Sequence, residues 1–90
     1  MTLLHRTGVA GTEGKNDILV TIEPAEPGAK LSLELTSPVK YEFGNCIESL
    51  VGEMLKIYHI MDAKVVLNDK GAWDFTIRAR VETAILRAMA

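Results

Sequence analysis

The sequence has little cysteine, few aromatic residues and no long apolar run. Cys46 is the only cysteine among the 90 residues, so an internal disulfide is excluded and nothing indicates an oxidising compartment. No segment approaches the roughly 18 consecutive apolar residues of a membrane-spanning helix. Residues 1–6 are too short for the apolar region of a signal peptide. These absences favour a cytoplasmic protein without a membrane partner.

An excess of charge of one sign is also absent. Ten Lys and Arg residues stand against 12 Asp and Glu, which gives a net charge of −2. Nucleic acid is therefore not an expected partner.

His5 and His59 lie far apart, and no His, Cys or carboxylate cluster has the spacing of metal ligands, so no metal site is predicted. A chain of this length forms a single domain, which we assign to residues 1–90.

Two early segments alternate between apolar and polar residues. Residues 17–23 place Ile18, Val20 and Ile22 on one face, which predicts a strand that stops at Pro24. Residues 30–35 place three leucines on one face in the same way. Because the connecting loop is short enough for a hairpin, we expect the two strands to pair antiparallel.

A long helix is predicted from Pro38 to Tyr58. Ser37 can accept an amide hydrogen that has no partner within the helix, and proline's φ suits the first helical position. Apolar residues recur at spacings of three and four and form one stripe. Its members are Phe43, Ile47, Leu50, Val51, Met54 and Tyr58. Cys46 lies on the apolar side of this helix, so we expect a buried, inert thiol.

The C-terminal third is predicted to form two strands and a second helix. Residues 63–67 are a short apolar strand, and residues 68–71 suit a tight hairpin turn. Residues 73–79 fit both an alternating and a helical period, but their β-branched and aromatic residues favour a strand, followed by a helix over residues 80–89. Trp73 is expected in the core, with an anchor at a protein interface as the alternative. The order β-β-α-β-β-α predicts an α+β fold, with an antiparallel sheet of about four strands and both helices on one face.

Two segments carry a resemblance to a known family. Residues 10–21 read Ala-Gly-Thr-Glu-Gly-Lys-Asn-Asp-Ile-Leu-Val-Thr, and residues 68–81 read Asn-Asp-Lys-Gly-Ala-Trp-Asp-Phe-Thr-Ile-Arg-Ala-Arg-Val. They resemble the acyl carrier (gamma) subunit of citrate lyase, whose patterns are Ala-Gly-Thr-x-x-Ser-x-Asp and Asn-Asp-Lys-Gly-Ala-x-Asp-x-x-Ile-Arg-Ala-Arg. The resemblance covers nearly the whole chain. It implies a non-catalytic carrier that works between acyl-transferase (alpha) and lyase (beta) subunits on citrate or a relative such as citramalate.

The resemblance also implies an attachment site. In the family, a serine hydroxyl carries 2'-(5''-phosphoribosyl)-3'-dephospho-CoA through a phosphodiester, placed there by a prosthetic-group transferase. Thr12 and Asp17 stand five apart as in the family's pattern, so Lys15 occupies the place of that serine. A lysine ammonium has no oxygen for a phosphodiester. Three interpretations stay open: the chain carries no arm, Thr12 carries it, or the arm is held in another way.

The segment that contains Lys15 is expected to be mobile. Residues 1–16 show no clear period, and Gly11 and Gly14 punctuate a polar loop, so we predict a flexible N-terminal segment and loop.

Three other groups of residues are candidates for chemistry. Ser49 follows an acidic residue, as in phosphopantetheine carriers, but it falls on the polar face of the long helix and is expected to face solvent. Arg78 and Arg80 would share a polar strand face and either bind a phosphate or carboxylate or lie in solvent. Asp69 and Asp74 flank a predicted turn, where Asp is favoured for local hydrogen bonds.

Overall fold

The computed structural model describes residues 2–90. Its four strands are β1 (Gly8–Ala10), β2 (Ile18–Pro24), β3 (Leu31–Thr36) and β4 (Ala63–Asp69). Its two helices are α1 (Lys40–Ile57) and α2 (Asp74–Met89). The predicted α+β class with a four-stranded sheet and two helices is confirmed, and the elements follow the chain order β-β-β-α-β-α.

The sheet is mixed and has the strand order β1-β2-β4-β3. β2 pairs antiparallel with both β1 and β4, whereas β3 pairs parallel with β4. The predictions of a purely antiparallel sheet and of a β2–β3 hairpin are therefore wrong. A parallel pair needs a long crossover connection, usually a helix, and α1 supplies it between β3 and β4.

The segment between β2 and β3 crosses the end of β4 instead of forming a hairpin. One side-chain oxygen of Asp62, just ahead of β4, accepts hydrogen bonds from two amides of this segment. The donor of one is Gly28 N–H at 3.1 Å, and that of the other is Lys30 N–H at 2.7 Å. These bonds attach the crossing segment to the start of the strand that separates β2 from β3.

The core lies on one face of the two central strands. Alternate residues of β2 and β4 are at most 1% exposed, namely Ile18, Val20, Ile22, Ala63, Val65 and Leu67. Both helices add buried residues to the same cluster, including Val51 and Leu55 from α1 and Val81 and Ile85 from α2. Full burial of each such side chain stabilises the fold by about 1.5–3 kcal/mol.

The predicted long helix is confirmed as α1, although it begins at Lys40. The Ser37 hydroxyl accepts a hydrogen bond from the Val39 amide at 3.2 Å, but Val39 is the N-cap and has no side-chain capping bond, so the predicted start at Pro38 with Ser37 as its cap is wrong. The prediction that Cys46 is buried is wrong, because the thiol is exposed. Cys46 lies about 100° around the helix from buried Ile47, which turns it away from the sheet.

The predicted strand over residues 73–79 is wrong, because α2 begins at Asp74 and continues to Met89. The helical period decides the structure, since the buried residues of α2 are Ile77, Val81, Ala84, Ile85 and Ala88. Trp73 and Phe75, whose types favoured a strand, are 68% and 72% exposed. The expectation that Trp73 belongs to the core is therefore also wrong.

β1 is a short strand that the alternation pattern did not predict. It packs so closely on α2 that a Cβ on Gly8 would lie 2.0 Å from the Ala84 carbonyl oxygen. Arg87 adds a hydrogen bond to the Val9 carbonyl at 2.7 Å. Met1 lies outside the described residues, and the flexibility of residues 1–16 stays a prediction.

Within residues 2–90, neither helix has the length and apolar character needed to cross a bilayer.

Candidate functional site

The loop of residues 11–17 joins β1 to β2 and contains both candidate attachment residues. Its middle residues, 12–16, are exposed. The chain enters the loop through Gly11 at φ 91° and leaves it through Asn16 at φ 63°. A Cβ on Gly11 would lie 1.8 Å from the Ile18 carbonyl oxygen, so only glycine fits there.

Asp17 is the centre of a hydrogen-bond network at the base of this loop. Its Oδ1 accepts from the Ile18 amide at 2.7 Å and from Arg80 Nε at 3.1 Å. Its Oδ2 accepts from the Thr12 hydroxyl at 2.8 Å and from Arg80 Nη2 at 3.1 Å. The two contacts with Arg80 form a bidentate ion pair, the strongest geometry for a guanidinium and a carboxylate.

These partners lower the pKa of Asp17 from 3.8 to about 2. The hydrogen bonds from Arg80 contribute most, followed by those from the Ile18 amide and the Thr12 hydroxyl. Each of them stabilises the carboxylate over the neutral acid. Asp17 is therefore ionised throughout the neutral pH range and holds Arg80 as a charged pair.

The loop is also attached to the end of β4. The Asn16 amide donates to the Lys70 carbonyl at 2.9 Å, and the Lys70 amide donates to the Asp17 carbonyl at 2.8 Å. The Asn68 side chain donates to the Glu13 carboxylate. The two segments that carry the resemblance, residues 10–21 and 68–81, are thus adjacent in space.

The turn after β4 is organised by a buried carboxylate. Asp69 is 1% exposed and accepts hydrogen bonds from the Gly71 and Ala72 amides at 3.2 and 2.9 Å. The Ser37 hydroxyl donates to it at 2.7 Å. The predicted local hydrogen-bonding role of Asp69 is confirmed, and the same side chain joins the turn before α2 to the turn before α1.

Lys15 lies in the middle of the loop with an exposed side chain. The ion pairs within residues 2–90 are Lys64–Glu34 and Arg80–Asp17, so the ammonium of Lys15 pairs with none of the described residues. Position 15 therefore projects from a loop whose two ends are both held.

Thr12, the second candidate, uses its hydroxyl within the loop. The hydroxyl donates to Asp17 Oδ2 at 2.8 Å and accepts from the Gly14 amide at 3.1 Å. Modification of this oxygen would remove the donated hydrogen bond. Thr12 is exposed, but its hydroxyl already has a structural role.

The other candidate residues do not converge on a site. Arg78 and Arg80 share no face, because residues two apart on a helix point about 200° apart, and only Arg80 reaches Asp17. Ser49 is exposed on α1, as expected. Among residues 2–90, no group of three or more His, Cys, Asp or Glu side chains is arranged to hold a metal ion.

An open apolar groove lies between the first turns of α1 and α2. Phe43, Cys46, Trp73 and Phe75 line it. Ala72 also lines this groove and belongs to the turn held by Asp69. The groove therefore begins one residue beyond Gly71. Gly71 lies next to the loop, because a Cβ placed on it would be 3.5 Å from the side-chain oxygen of Asn16.

Sequence reasoning missed the pairing of Asp17 with Arg80. In the sequence, Asp17 was noted only because its spacing from Thr12 agrees with the family's pattern. Arg80 was expected on the polar face of a strand. The signal in the sequence is that Asp17 and Arg80 carry opposite charges, each next to an apolar residue. The predicted helix began only at residue 80, so the position of Arg80 in the second turn of α2, facing the loop, was not expected.

Comparison with known proteins gives concordant results. The family model for the malonate decarboxylase delta subunit (MdcD) matches residues 5–88. The citrate lyase acyl carrier protein of Treponema denticola is 48% identical over 85 residues, which cover 94% of both chains. That of Klebsiella pneumoniae is 46% identical over 81 residues, 89% of this chain and 81% of the relative.

A solved structure has the same fold. It is a chain in the crystal structure of a Pseudomonas malonate decarboxylase hetero-tetramer in complex with malonate, with a TM-score of 0.75 and 22% sequence identity. The match covers 94% of this chain and 86% of that one. At this identity the likeness concerns the fold alone.

The family model spans almost the whole chain, and the two curated relatives named above exceed 40% identity over most of both lengths. This chain therefore belongs to the family of the citrate lyase acyl carrier proteins and the malonate decarboxylase delta subunit, and is a carrier subunit rather than an enzyme.

Proposed function

We propose that this chain takes the place of the carrier (gamma) subunit in a citrate-lyase-type complex and meets an acyl-transferase subunit and a lyase subunit through the 11–17 loop. The observation that carries the proposal is the loop itself, which has a held base and an exposed Lys15 at its middle. A carrier needs a projecting attachment point on a stable body and no catalytic pocket. Its use is to raise the local concentration of what it presents at each partner's site.

The residues of the loop do not fit the group that the resemblance implies, 2'-(5''-phosphoribosyl)-3'-dephospho-CoA. A phosphodiester to the protein needs a side-chain oxygen, and Lys15 supplies a nitrogen. The oxygen of Thr12 donates its hydrogen to Asp17. We therefore assign no step to this group in the present chain, and the work of a prosthetic-group transferase on it is not part of the proposal.

Lys15 favours a second form of the same role. In this form the chain is an arm-less scaffold or assembly subunit that works by protein contact alone. Both forms predict the same place in the complex, and they differ in whether an acetyl or citryl thioester is tethered. Choice between citrate and an acid such as citramalate would belong to the partner subunits, and we expect the complex in the cytoplasm.

Reconstitution tests the shared role. The chain is added in increasing amounts to citrate lyase assembled from separate alpha, beta and loaded gamma subunits, and cleavage of citrate is measured. We expect the unmodified chain to displace the loaded carrier and lower activity in proportion to its share of the total carrier. No loss of activity at a large excess, with no association detected by native mass spectrometry, would contradict the role.

The intact mass of the chain purified from its source organism separates the two forms. A mass equal to the sequence mass supports the arm-less form. An added mass that peptide mapping locates at Lys15 or Thr12 supports the armed form, with a linkage other than a serine phosphodiester.

A further inference from the structure

We infer that Arg80 is a positioning residue for the 11–17 loop. By holding Asp17, it keeps the loop in one conformation, so residue 15 projects from a rigid support. The inference rests on the proposed function only where it treats residue 15 as the point presented to partner subunits. The effect of Arg80 on the conformation of the loop is a property of this chain alone.

The geometry of Arg80 suits a structural contact with Asp17 better than the binding of a ligand. Nε and Nη2 each lie 3.1 Å from a different oxygen of Asp17, so the planar guanidinium is fixed in orientation. Asp17 is 15% exposed and Arg80 is 42% exposed. Each Asp17 oxygen accepts two hydrogen bonds, which leaves little freedom for the carboxylate to leave the pair.

The carbon atoms of Arg80 also pass close to the start of the loop. A Cβ placed on Gly11 would lie 3.3 Å from Arg80 Cδ, so the aliphatic part of Arg80 passes beside this glycine. Arg80 therefore lies beside Gly11 at one end of the loop and binds Asp17 by charge at the other. Thr12 joins the two ends through its hydrogen bond to Asp17.

A second attachment lies on the other side of the loop. The reciprocal backbone hydrogen bonds among Asn16, Asp17 and Lys70 extend the contact of β2 with β4 beyond the end of the paired strands. The Glu13 side chain bonds to Asn68. Lys15 is the residue between these attachments whose charged group has no ion-pair partner in the part of the chain that the structure describes.

A rigid loop has a consequence for a carrier. The reach needed to visit different partner sites must then come from whatever residue 15 carries, or from movement of the whole domain, and not from the backbone of residues 11–17. This differs from the flexible loop that glycine content predicts, and the difference is measurable.

The test is ¹⁵N relaxation of the full chain, which reports backbone motion on the picosecond-to-nanosecond timescale. We expect the heteronuclear NOE of residues 12–17 to equal that of β2. Values as low as that of the C-terminal Ala90 in the unmodified chain would overturn the inference.

Variants then test Arg80 itself. Arg80→Ala should lower the NOE of residues 12–17 while β4 keeps its values, and Arg80→Lys should lower it less. Arg78→Ala, a matched exposed arginine on the same helix, should change nothing. If Arg80→Ala does not fold, the Arg80→Lys variant and the unmodified chain still decide the matter.

An unchanged loop in the folded Arg80 variants, or an equal loss in Arg78→Ala, would overturn the inference. A residue that served only overall stability would lower the free energy of unfolding without altering the loop NOE of the folded protein. Because no partner subunit is needed, failure here is distinct from failure of the proposed carrier role.

Discussion

Arg80 in α2 binds Asp17 at the end of the 11–17 loop through two contacts of equal length, 3.1 Å each, across 63 positions of sequence. This pair joins the two segments by which the chain resembles its family. By the inference above, it also holds the loop, although exposed and rich in glycine, in one conformation.

The first prediction concerns acid stability. Because the pKa of Asp17 is lowered from 3.8 to about 2, the folded state binds the proton less readily than the unfolded state does. The resulting stabilisation is complete above about pH 5 and is lost as the pH falls from there towards 2. Such a shift corresponds to at most about 2.5 kcal/mol, and solvent screening at the half-exposed Arg80 reduces it to about 1 kcal/mol.

Urea denaturation at pH 7, 4 and 2.5 checks this in the unmodified chain and in Asp17→Asn. The difference in free energy of unfolding between the two proteins should shrink as the pH falls. A constant difference across this range would show that the charge of Asp17 contributes nothing.

The second prediction compares two glycines. A Cβ at Gly8 would lie 2.0 Å from the Ala84 carbonyl oxygen and 2.7 Å from the Ala88 nitrogen, whereas one at Gly52 in α1 would meet nothing within 4 Å. Gly8→Ala should therefore separate β1 from α2 and destabilise the fold by about 2–4 kcal/mol. Gly52→Ala should stabilise it by about 0.5–1 kcal/mol. Thermal unfolding measures both, and similar effects of the two substitutions would be inconsistent with the packing of β1.

The third prediction concerns the buried carboxylate of Asp69. Asp69→Ala leaves two amides and the Ser37 hydroxyl without an acceptor, so we expect a loss of about 2–3 kcal/mol. Asp74→Ala is the control, because Asp74 is exposed in the first turn of α2, and its loss should cost about 0.5 kcal/mol. Equal costs in chemical denaturation would contradict the assigned role of Asp69.

The fourth prediction concerns exposed groups of the groove. The single tryptophan, Trp73, is 68% exposed, and the single cysteine, Cys46, is exposed as well. In the isolated folded chain, Trp73 emission should match that of a tryptophan model compound in water, and Cys46 should react with a thiol reagent as fast as in urea. A blue-shifted emission or a protected thiol would indicate that the groove is covered.

The parts of the fold that could be predicted from the sequence are those fixed by local periodicity. The alternation of Ile18, Val20 and Ile22 identified β2 correctly, and the stripe through Ile47 and Val51 identified α1. Pairing of the strands was beyond such reasoning. Whether β3 lies beside β2 or beside β4 depends on contacts between residues distant in sequence, such as the hydrogen bonds of Asp62 to the segment between β2 and β3.

The errors at the C-terminus have a related cause. Trp73 and Phe75 have the residue types of a strand, but the buried face of α2 is set by Ile77, Val81 and Ile85 further along. The role of Lys15 as the attachment position stays a prediction, and the structure places this residue in an exposed loop. Its support was not predicted, because an ion pair between residues 17 and 80 depends on the tertiary fold.

The most direct measurement of the central claim, that the 11–17 loop presents residue 15 to partner proteins, uses the Lys15→Ser variant. The variant and the unmodified chain are incubated with the prosthetic-group transferase of citrate lyase and its nucleotide donor, beside a carrier that this transferase is known to load. After trypsin digestion, we predict that the variant's peptide of residues 7–30 gains the mass of the group at position 15, while the unmodified chain gains none. A folded Lys15→Ser variant that stays unlabelled while the control carrier is loaded would contradict the claim.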